Sequence, residues 1–201
     1  SLFIALVIAT LIKTKVKGSR LLQTLYFVPY ICSVVAVTIM WNQMFLTGDD
    51  GVLNTILGTN INWRGDPKYL TWCIFTVIVW QSPGYGIVMI TTAFVGANAW
   101  KQYFHITLPQ IAPMILFLAL AGWQGGLATF DAAQVMAPVG FDGTAGPEDM
   151  GLTLAYYNYI QGMLFSHMDY ASVMNWMTAI INFAGAYLFL RLRKRAEDNL
   201  G

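Results

Sequence analysis

The sequence is short of charge and of cysteine. Only 10% of its 201 residues are charged, and the 11 Lys and Arg nearly balance the 10 Asp and Glu. Such a balance excludes a strongly basic surface for nucleic acid. The two cysteines, Cys32 and Cys73, both lie within apolar runs, so they indicate neither a disulfide framework nor a Cys/His metal site. We therefore expect no metal ligands in this chain.

Apolar sequence, in contrast, is abundant. Hydrophobic residues make up 57% of the chain, and its mean hydropathy is +0.56, which argues against a water-soluble globule. Apolar stretches run over 1–12, 21–46, 69–95, 108–128 and 171–190. A membrane-spanning helix needs about 20 residues, so the first stretch is too short alone, and we expect it to be the end of a helix that begins earlier. The pattern predicts an all-α, polytopic transmembrane bundle that fills 1–201 as one domain with about five spans.

The basic residues lie in alternate connections between these stretches. Nine of the 11 follow the first, third and fifth stretches: Lys13, Lys15, Lys17, Arg20, Lys101, Arg191, Arg193, Lys194 and Arg195. Because Lys and Arg near spans stay on the cytoplasmic side, these connections and the C-terminus are predicted to be cytoplasmic. The connections 47–68 and 129–170 are then outer loops. Within the second, the tyrosine-rich segment 152–165 predicts a short helix at the outer membrane interface.

The cytoplasmic connection 96–109 carries a distinctive motif. It reads Gly96-Ala97-Asn98-Ala99-Trp100-Lys101-Gln102-Tyr103-Phe104-His105-Ile106-Thr107-Leu108-Pro109. The three aromatic residues recur at helical spacing, which gives a short helix an apolar face, and proline is tolerated in the first turn of the helix that follows. The motif predicts a cytoplasmic helix that presses into a groove on a partner. An interfacial helix anchored by its aromatics is the alternative.

This segment strongly resembles the coupling loop of ABC-importer permeases, and further motifs occur in the same order. They are the proline-containing run 25–45, GVLNTIL at 51–57, Asp66-Pro67, Phe130-Asp131 and Tyr170-Ala171. The maltose-type, carbohydrate-importing branch is the most similar. The resemblance implies six spans and a coupling helix docked on an ATPase through Gly96, Ala97, Asn98, Ala99, Trp100, Tyr103, Phe104 and Pro109. The EAA triplet of that family is absent, because 91–95 runs directly into Gly96, and we expect residues to be missing there rather than truly deleted.

Polar and small residues inside the spans predict a substrate path, since they usually face a bundle interior. The third stretch contains Gln81, Ser82 and Tyr85 together with Pro83 and two glycines, which predict a kink or a local opening of the helix. Tyr85 lies one turn beyond Gln81 and Ser82, so the three can share a side. In the resembling permease this helix contributes a sugar-stacking tyrosine, with which Tyr85 aligns. The alternative is a hinge whose Tyr and Gln only pack against neighbours.

The fourth stretch carries small residues in one helical stripe, namely Gly122, Gly125, Gly126 and Thr129. The resembling permease has larger side chains there that contact sugar. The glycines indicate either a wider cavity or close helix packing, and both interpretations stay open. Asn175, in the last stretch, is a further candidate, which lines the path or forms a hydrogen bond between helices.

The resemblance implies a permease subunit that forms, with a second permease, the path for a carbohydrate delivered by an extracytoplasmic binding protein. It implies a bacterial or archaeal cell membrane and alternating access driven through the coupling helix. The sequence has no GxxxxGK[ST] motif, so ATP and Mg are expected in partner ATPase subunits, and no enzyme activity or cofactor is predicted for this chain. An ion-coupled secondary transporter or channel is the alternative, although the spans have almost no titratable residues for it. They also lack Arg and Lys, which favours a neutral sugar.

Overall fold

The computed structural model describes residues 2–13, 19–93 and 108–198. In these ranges the regular elements are helical, apart from one isolated bridge between Val139 and Ala145. The α-helices are α1 (Leu2–Lys13), α2 (Ser19–Ile31), α3 (Val34–Met44), α4 (Val52–Leu57), α5 (Pro67–Gln81), α6 (Pro83–Ala93), α7 (Leu108–Leu127), α8 (Asp131–Met136), α9 (Leu154–Tyr159) and α10 (Met168–Asp198). The prediction of an all-α fold is confirmed for this part of the chain.

Two helical stretches are long and apolar enough to cross a membrane. They are Pro67–Thr92, which α5 and α6 form together, and Met168–Arg195 in α10. The pair of α2 and α3 adds a third if it counts as one broken span, whereas Leu2–Ile12 and Ile111–Leu127 are apolar but shorter. Length and composition thus support two or three spans among the described residues. The count of five stays a prediction.

The apolar run 21–46 is not one straight helix. α2 ends at Ile31, and α3 begins at Val34 after Ser33, whose φ of −56° and ψ of 131° are not helical. Pro29 lies in the last turn of α2, where its ring removes one backbone hydrogen bond and weakens the helix. The Ser33 carbonyl then accepts the first hydrogen bond of α3, from the N–H of Val37 at 3.0 Å.

The chain divides into two compact units. The first contains Ser1–Ile31, Gln81–Gly126 and Ala179–Gly201. Its core is formed by α1, α6 and α7 through Ala5, Ala9, Ile12, Ile87, Ile90, Ile111 and Leu118. The alanines are one turn apart on α1, so this helix presents a small-residue face on which another backbone can approach closely.

The second unit contains Cys32–Trp80 and Leu127–Thr178. Its core includes Leu70, Cys73, Ile74 and Val77, which recur at helical spacing on α5, packed with residues of α3, α8 and α9. The opposite face of α5 exposes Trp72 and Phe75. Within this unit α9 is followed directly by one wide helical turn, Ile160–Leu164, so the helix predicted over 152–165 is confirmed as helical. Its place at the membrane interface stays a prediction.

Candidate functional site

The helix of the third apolar stretch is interrupted at Ser82. α5 ends at Gln81, and α6 begins at Pro83. Proline has no N–H to continue the hydrogen-bond ladder and disfavours helical geometry in the residue before it, which accounts for the interruption. Gln81 is buried and Tyr85, one turn later, is half-buried. Three predicted path residues therefore lie at one break, at the start of α6.

Both glycines that follow Pro83 are points of close helix packing. A Cβ at Gly84 would lie 2.5 Å from the carbonyl oxygen of Tyr26 and 2.7 Å from Cβ of Tyr30, both on α2. At Gly86 an added Cβ would lie 3.0 Å from Cβ of Ala5 on α1. These distances leave no room for a larger residue at Gly84 unless α2 moves. The glycines thus bring α6 against α1 and α2.

This close approach places Tyr85 against an aromatic residue that the sequence analysis missed. The Tyr85 ring stacks on the Tyr30 ring, with centroids 5.6 Å apart and an angle of 27° between the planes. Phe27, one turn earlier on α2, lies 6.0 Å from Tyr30 in a tilted arrangement. Offset stacking of this kind is a favoured geometry for aromatic pairs. Tyr85, a predicted path residue, is therefore one member of an aromatic group built by two helices.

The α2 side of this contact has its own periodic pattern. Gln23, Tyr26, Phe27 and Tyr30 are spaced three, four and seven residues apart, so they share one face of the helix. At the other end of that face, the amide of Gln23 donates to the hydroxyl of Thr91 at 3.4 Å. This run of polar and aromatic residues inside an apolar stretch was the available signal for Tyr30.

The glycine stripe of α7 is open in this structure. Gly122, Gly125 and Gly126 are exposed, and an added Cβ at each would meet no described atom within 4 Å. The contact between α7 and α10 is made elsewhere, where a Cβ at Gly185 would lie 2.7 Å from Nε1 of Trp123. Close packing on the stripe is thus not seen among the described residues. A wider cavity and packing against another subunit both stay predictions.

Thr129 and Asn175 belong to the second unit, whereas Gln81, Ser82, Tyr85 and the three glycines of α7 belong to the first. The Thr129 carbonyl accepts a hydrogen bond from the hydroxyl of Thr153, which also caps the start of α9. The side-chain oxygen of Asn175 accepts from the amide of Asn158. Asn175 therefore bonds to another helix, which is the second of its two predicted roles. Lining of a path by either residue stays a prediction.

Most of the predicted coupling residues lie outside the described part of the chain. This applies to Gly96, Ala97, Asn98, Ala99, Trp100, Tyr103 and Phe104. Pro109 is described, and it lies in the first turn of α7, where its missing N–H has no intrahelical partner to lose.

Three side chains converge on the carbonyl end of α8, in the second unit. Asn42 of α3 donates to the carbonyl of Val135 at 3.3 Å, and Nε of Arg64 donates to the carbonyl of Met136 at 3.2 Å. The hydroxyl of Tyr156, on α9, donates to the carbonyl of Ala137 at 3.0 Å. The last carbonyls of a helix have no partner within it, and a cation there also meets the negative end of the helix dipole. α8 is thus anchored by three segments distant in sequence.

The loop 47–68 is organised by one buried amide, Asn54. Its Nδ2 donates to the carbonyls of Leu46 at 3.2 Å and Ile61 at 2.9 Å. Its Oδ1 accepts from the N–H of Ile61 at 3.2 Å, from Nε1 of Trp63 at 2.9 Å and from the hydroxyl of Thr59 at 3.3 Å. The backbone N–H of Ile61 and the indole N–H of Trp63 can only donate, so the side-chain oxygen of Asn54 must face them. These two contacts therefore determine the orientation of the Asn54 side-chain amide. The loop therefore closes around a fully used side chain.

The connection 129–170 contains a tight turn and a buried phenol. The hydroxyl and N–H of Thr144 donate to Asp142 at 2.8 and 3.1 Å, and these bonds lower the pKa of the Asp142 carboxyl. Burial raises the pKa of Tyr156, whose ring packs edge-on against Phe130 at 5.7 Å.

Across residues 2–13, 19–93 and 108–198, no three His, Cys, Asp or Glu side chains are grouped as metal ligands.

Comparison with known proteins gives relatives over nearly the whole chain. The probable ABC transporter permease protein YesP of Bacillus subtilis is 30% identical over 88% of this chain and 61% of its own length. The lactose transport system permease LacF of Rhizobium radiobacter is 29% identical over 91% of this chain and 68% of its own. The arabinooligosaccharides permease AraP of Halalkalibacterium halodurans is 27% identical over 90% and 61%. This chain thus spans less than two thirds of YesP and of AraP. No protein-family profile matches it.

Among solved structures, the chain resembles a bacterial ABC transporter involved in the import of the acidic polysaccharide alginate. The TM-score is 0.74 at 18% identity, over 95% of this chain and 71% of that one. At this identity the likeness supports the fold alone. The names of the relatives and the fold agree with the resemblance to ABC-importer permeases that the sequence indicates. Over most of its length the chain is therefore similar to an ABC transporter permease and to the lactose and arabinooligosaccharide transport permeases.

Proposed function

We propose that the chain is a permease subunit of an ATP-driven importer and that it forms part of the path for a carbohydrate. The observation that carries this proposal is the similarity to LacF, a lactose transport permease, over 91% of the chain. The aromatic pair of Tyr85 and Tyr30 at a helix break supports it, because flat aromatic faces suit the C–H faces of sugar rings. Gln81, buried at the same break, supplies an amide that suits sugar hydroxyls.

The substrate class within the proposal is a neutral sugar. The charged residues of α1, α2, α6 and α7 are Lys13 and Arg20, each at a helix end. An anionic substrate calls for Arg or Lys in its path. Arg20 precedes Tyr30 by ten residues, which is about 15 Å along a helix. An aromatic platform this far from the cation of its own helix favours a ligand without charge.

The proposed partners are a second, similar permease, two ATP-binding subunits and an extracytoplasmic binding protein that delivers the sugar. A solved structure of the alginate transporter contains a periplasmic protein bound to an alginate pentasaccharide, which is consistent with such an assembly. In this arrangement ATP and Mg bind to the ATPase subunits. The coupling residues at 96–109 transmit closure of those subunits to the bundle, and the C-terminus faces the cytoplasm.

Uptake by the assembled complex tests the proposal. The complex is purified from its native membrane with its partner subunits, reconstituted into vesicles and given the binding protein with a panel of labelled neutral sugars. ATP-dependent uptake of at least one sugar is expected, with none when ATP is omitted. Uptake driven by an ion gradient without ATP would instead favour a secondary transporter. Transport of only phosphates or amino acids would overturn the substrate class.

Membrane orientation is tested separately by a reporter fused after Gly201. An enzyme active only in the cytoplasm is expected to be active in this fusion, because the basic cluster from Arg191 to Arg195 is retained on that side. Activity of an enzyme that works only outside the cytoplasm would reverse the proposed orientation.

A further inference from the structure

We propose that Tyr30 is a positioning residue for Tyr85 and that the stacked pair determines which neutral sugars the permease selects. This inference rests on the proposed import function. Neither the resemblance nor the comparisons assign a role to Tyr30. The geometry points to it because Tyr30 covers one face of the ring at which the sugar is expected to stack, 5.6 Å from centroid to centroid.

The pair is held by backbone packing. Gly84 immediately precedes Tyr85, and its Cα lies so close to α2 that an added Cβ would be 2.7 Å from Cβ of Tyr30. The base of the Tyr30 side chain is therefore pressed against the start of α6. Phe27 lies beside the Tyr30 ring, 6.0 Å between centroids, in a tilted arrangement. Because the Tyr30 ring occupies one face of the Tyr85 ring, it restricts the orientations that Tyr85 can adopt.

The side of α2 that carries Tyr30 differs from its opposite side. Leu21, Leu25 and Val28 are exposed aliphatic residues, which suit contact with lipid. The Tyr30 side instead ends at Gln23, whose amide bonds to the hydroxyl of Thr91. Thr91 is buried within the first unit. Since a polar pair of this kind is unfavourable in hydrocarbon, the Gln23 end of this side belongs to the interior of the bundle, whereas Tyr30 itself keeps 42% of its surface exposed in this chain.

Stacking explains how Tyr30 acts on selectivity. With Tyr30 stacked on one face of the Tyr85 ring, Tyr85 presents its other face to the sugar at a fixed tilt. Sugars whose C–H groups lie on one side of the pyranose or furanose ring match that face. Without the Tyr30 ring, Tyr85 gains orientations, and sugars that differ in the configuration of one hydroxyl are discriminated less. If the interaction energy of a stacked aromatic pair acts on one of two sugars and not on the other, the ratio of their uptake rates changes by about threefold to tenfold.

The experiment measures a ratio of uptake rates in one vesicle preparation. Two neutral sugars that differ at one hydroxyl are labelled with different isotopes and offered together, with the binding protein saturated by the mixture. Tyr30→Leu and Tyr85→Leu are expected to shift the ratio by about threefold to tenfold in the same direction, and the double variant by no more than either alone. Tyr30→Phe retains the ring and is expected to keep the wild-type ratio.

Tyr26→Leu is the matched control. Tyr26 is one turn from Tyr30 on the same helix and similarly exposed, 38% against 42%, and the atom of Tyr26 that lies nearest to an added Cβ at Gly84 is its backbone oxygen. Its loss is expected to leave the ratio unchanged. If Tyr30→Leu fails to assemble, Tyr30→Trp is tested instead. Tryptophan keeps a planar side chain but has a larger ring system, so this variant is expected to shift the ratio of uptake rates.

A purely structural role is recognised by its different result. Loss of assembly or of coupling lowers the uptake of both sugars equally and leaves their ratio unchanged, and that outcome for Tyr30→Leu or Tyr30→Trp would overturn the inference. Absence of uptake of every neutral sugar by the wild-type complex would contradict the proposed function instead. The two failures are therefore distinguishable.

Discussion

Replacement of Asn54 by aspartate is predicted to loosen the loop 47–68. Asn54→Asp exchanges the amide NH₂ for an oxygen and changes little in shape. Both donated hydrogen bonds, to the carbonyls of Leu46 and Ile61, are lost. A negatively charged oxygen then faces these two carbonyl oxygens in a position where Asn54 is 1% exposed. The bonds accepted from Ile61 and Trp63 persist.

The magnitude follows from these contacts. Each lost bond is worth about 1 kcal/mol, and an unsatisfied buried group adds about 1–3 kcal/mol, so we expect a net cost of about 3 kcal/mol. Since 1.4 kcal/mol is a factor of ten, opening of the loop becomes about a hundredfold more frequent. Burial should raise the pKa of the introduced carboxyl. Protonation restores one donor, so the cost should be smaller at pH 5 than at pH 8.

Cys73 reports on this opening. It is buried in the core of the second unit, and its Sγ lies 3.6 Å from the carbonyl of Trp63, whose indole donates to Asn54. In a Cys32→Ala background, the rate at which a small thiol reagent labels Cys73 in the purified complex measures exposure of this core. The labelling rate of each variant is compared with that of the Cys32→Ala protein at the same pH, because the reactivity of a thiol itself depends on pH.

Asn60→Asp provides the matched control. Asn60 lies in the same loop but is exposed, and its oxygen accepts a bond from the N–H of Gly48 that aspartate retains. Its effect should stay within about 0.5 kcal/mol. Equal labelling rates for Asn54→Asp and Asn60→Asp would refute the reasoning, and so would a cost that grows as the pH falls.

Three further predictions concern other contacts. Arg64→Met removes a donor to the carbonyl end of α8 and should lower the unfolding free energy of the complex by about 1–2 kcal/mol. Arg64→Lys should lower it less. Equal melting temperatures for the wild type and Arg64→Met would contradict this. Gly84→Ala should reduce the amount of assembled complex in membranes, because its Cβ meets α2, whereas Gly126→Ala, with open space around it, should not; equal yields would sink the packing argument. The raised pKa of Tyr156 means that the folded state favours the neutral phenol. That stabilisation is complete below the unfolded pKa of about 10 and is lost as pH rises through the folded pKa. Denaturant titrations should therefore show a steeper loss above pH 10 in the wild type than in Tyr156→Phe.

The distribution of apolar residues was sufficient to predict helices, and its period was sufficient to predict buried faces. On α5, Leu70, Cys73, Ile74 and Val77 follow the helical period and are buried together. The proline in the third stretch likewise indicated the place at which the helix is interrupted. Each of these features depends on residues within a few turns, so local sequence contains the information.

Long-range polar contacts could not be predicted in the same way. Arg64 bonds to a carbonyl 72 residues away, and Asn42 to one 93 residues away. No period connects such partners. Glycines show the same limit. An added Cβ at Gly84 would clash with α2, whereas one at Gly126 would meet none of the described atoms within 4 Å, although both are glycines in apolar helices. Tyr30 was missed for this reason: its importance depends on a helix that lies elsewhere in the sequence.

The hydrogen bonds of Asn54 have a consequence for the order in which the protein forms. Each joins Asn54 to a residue between five and nine positions away. Closing so short a segment costs little chain entropy, and contacts between near neighbours form early. The loop 47–68 can therefore acquire its shape from local contacts alone. We expect it to fold before the long-range anchors of α8 are in place.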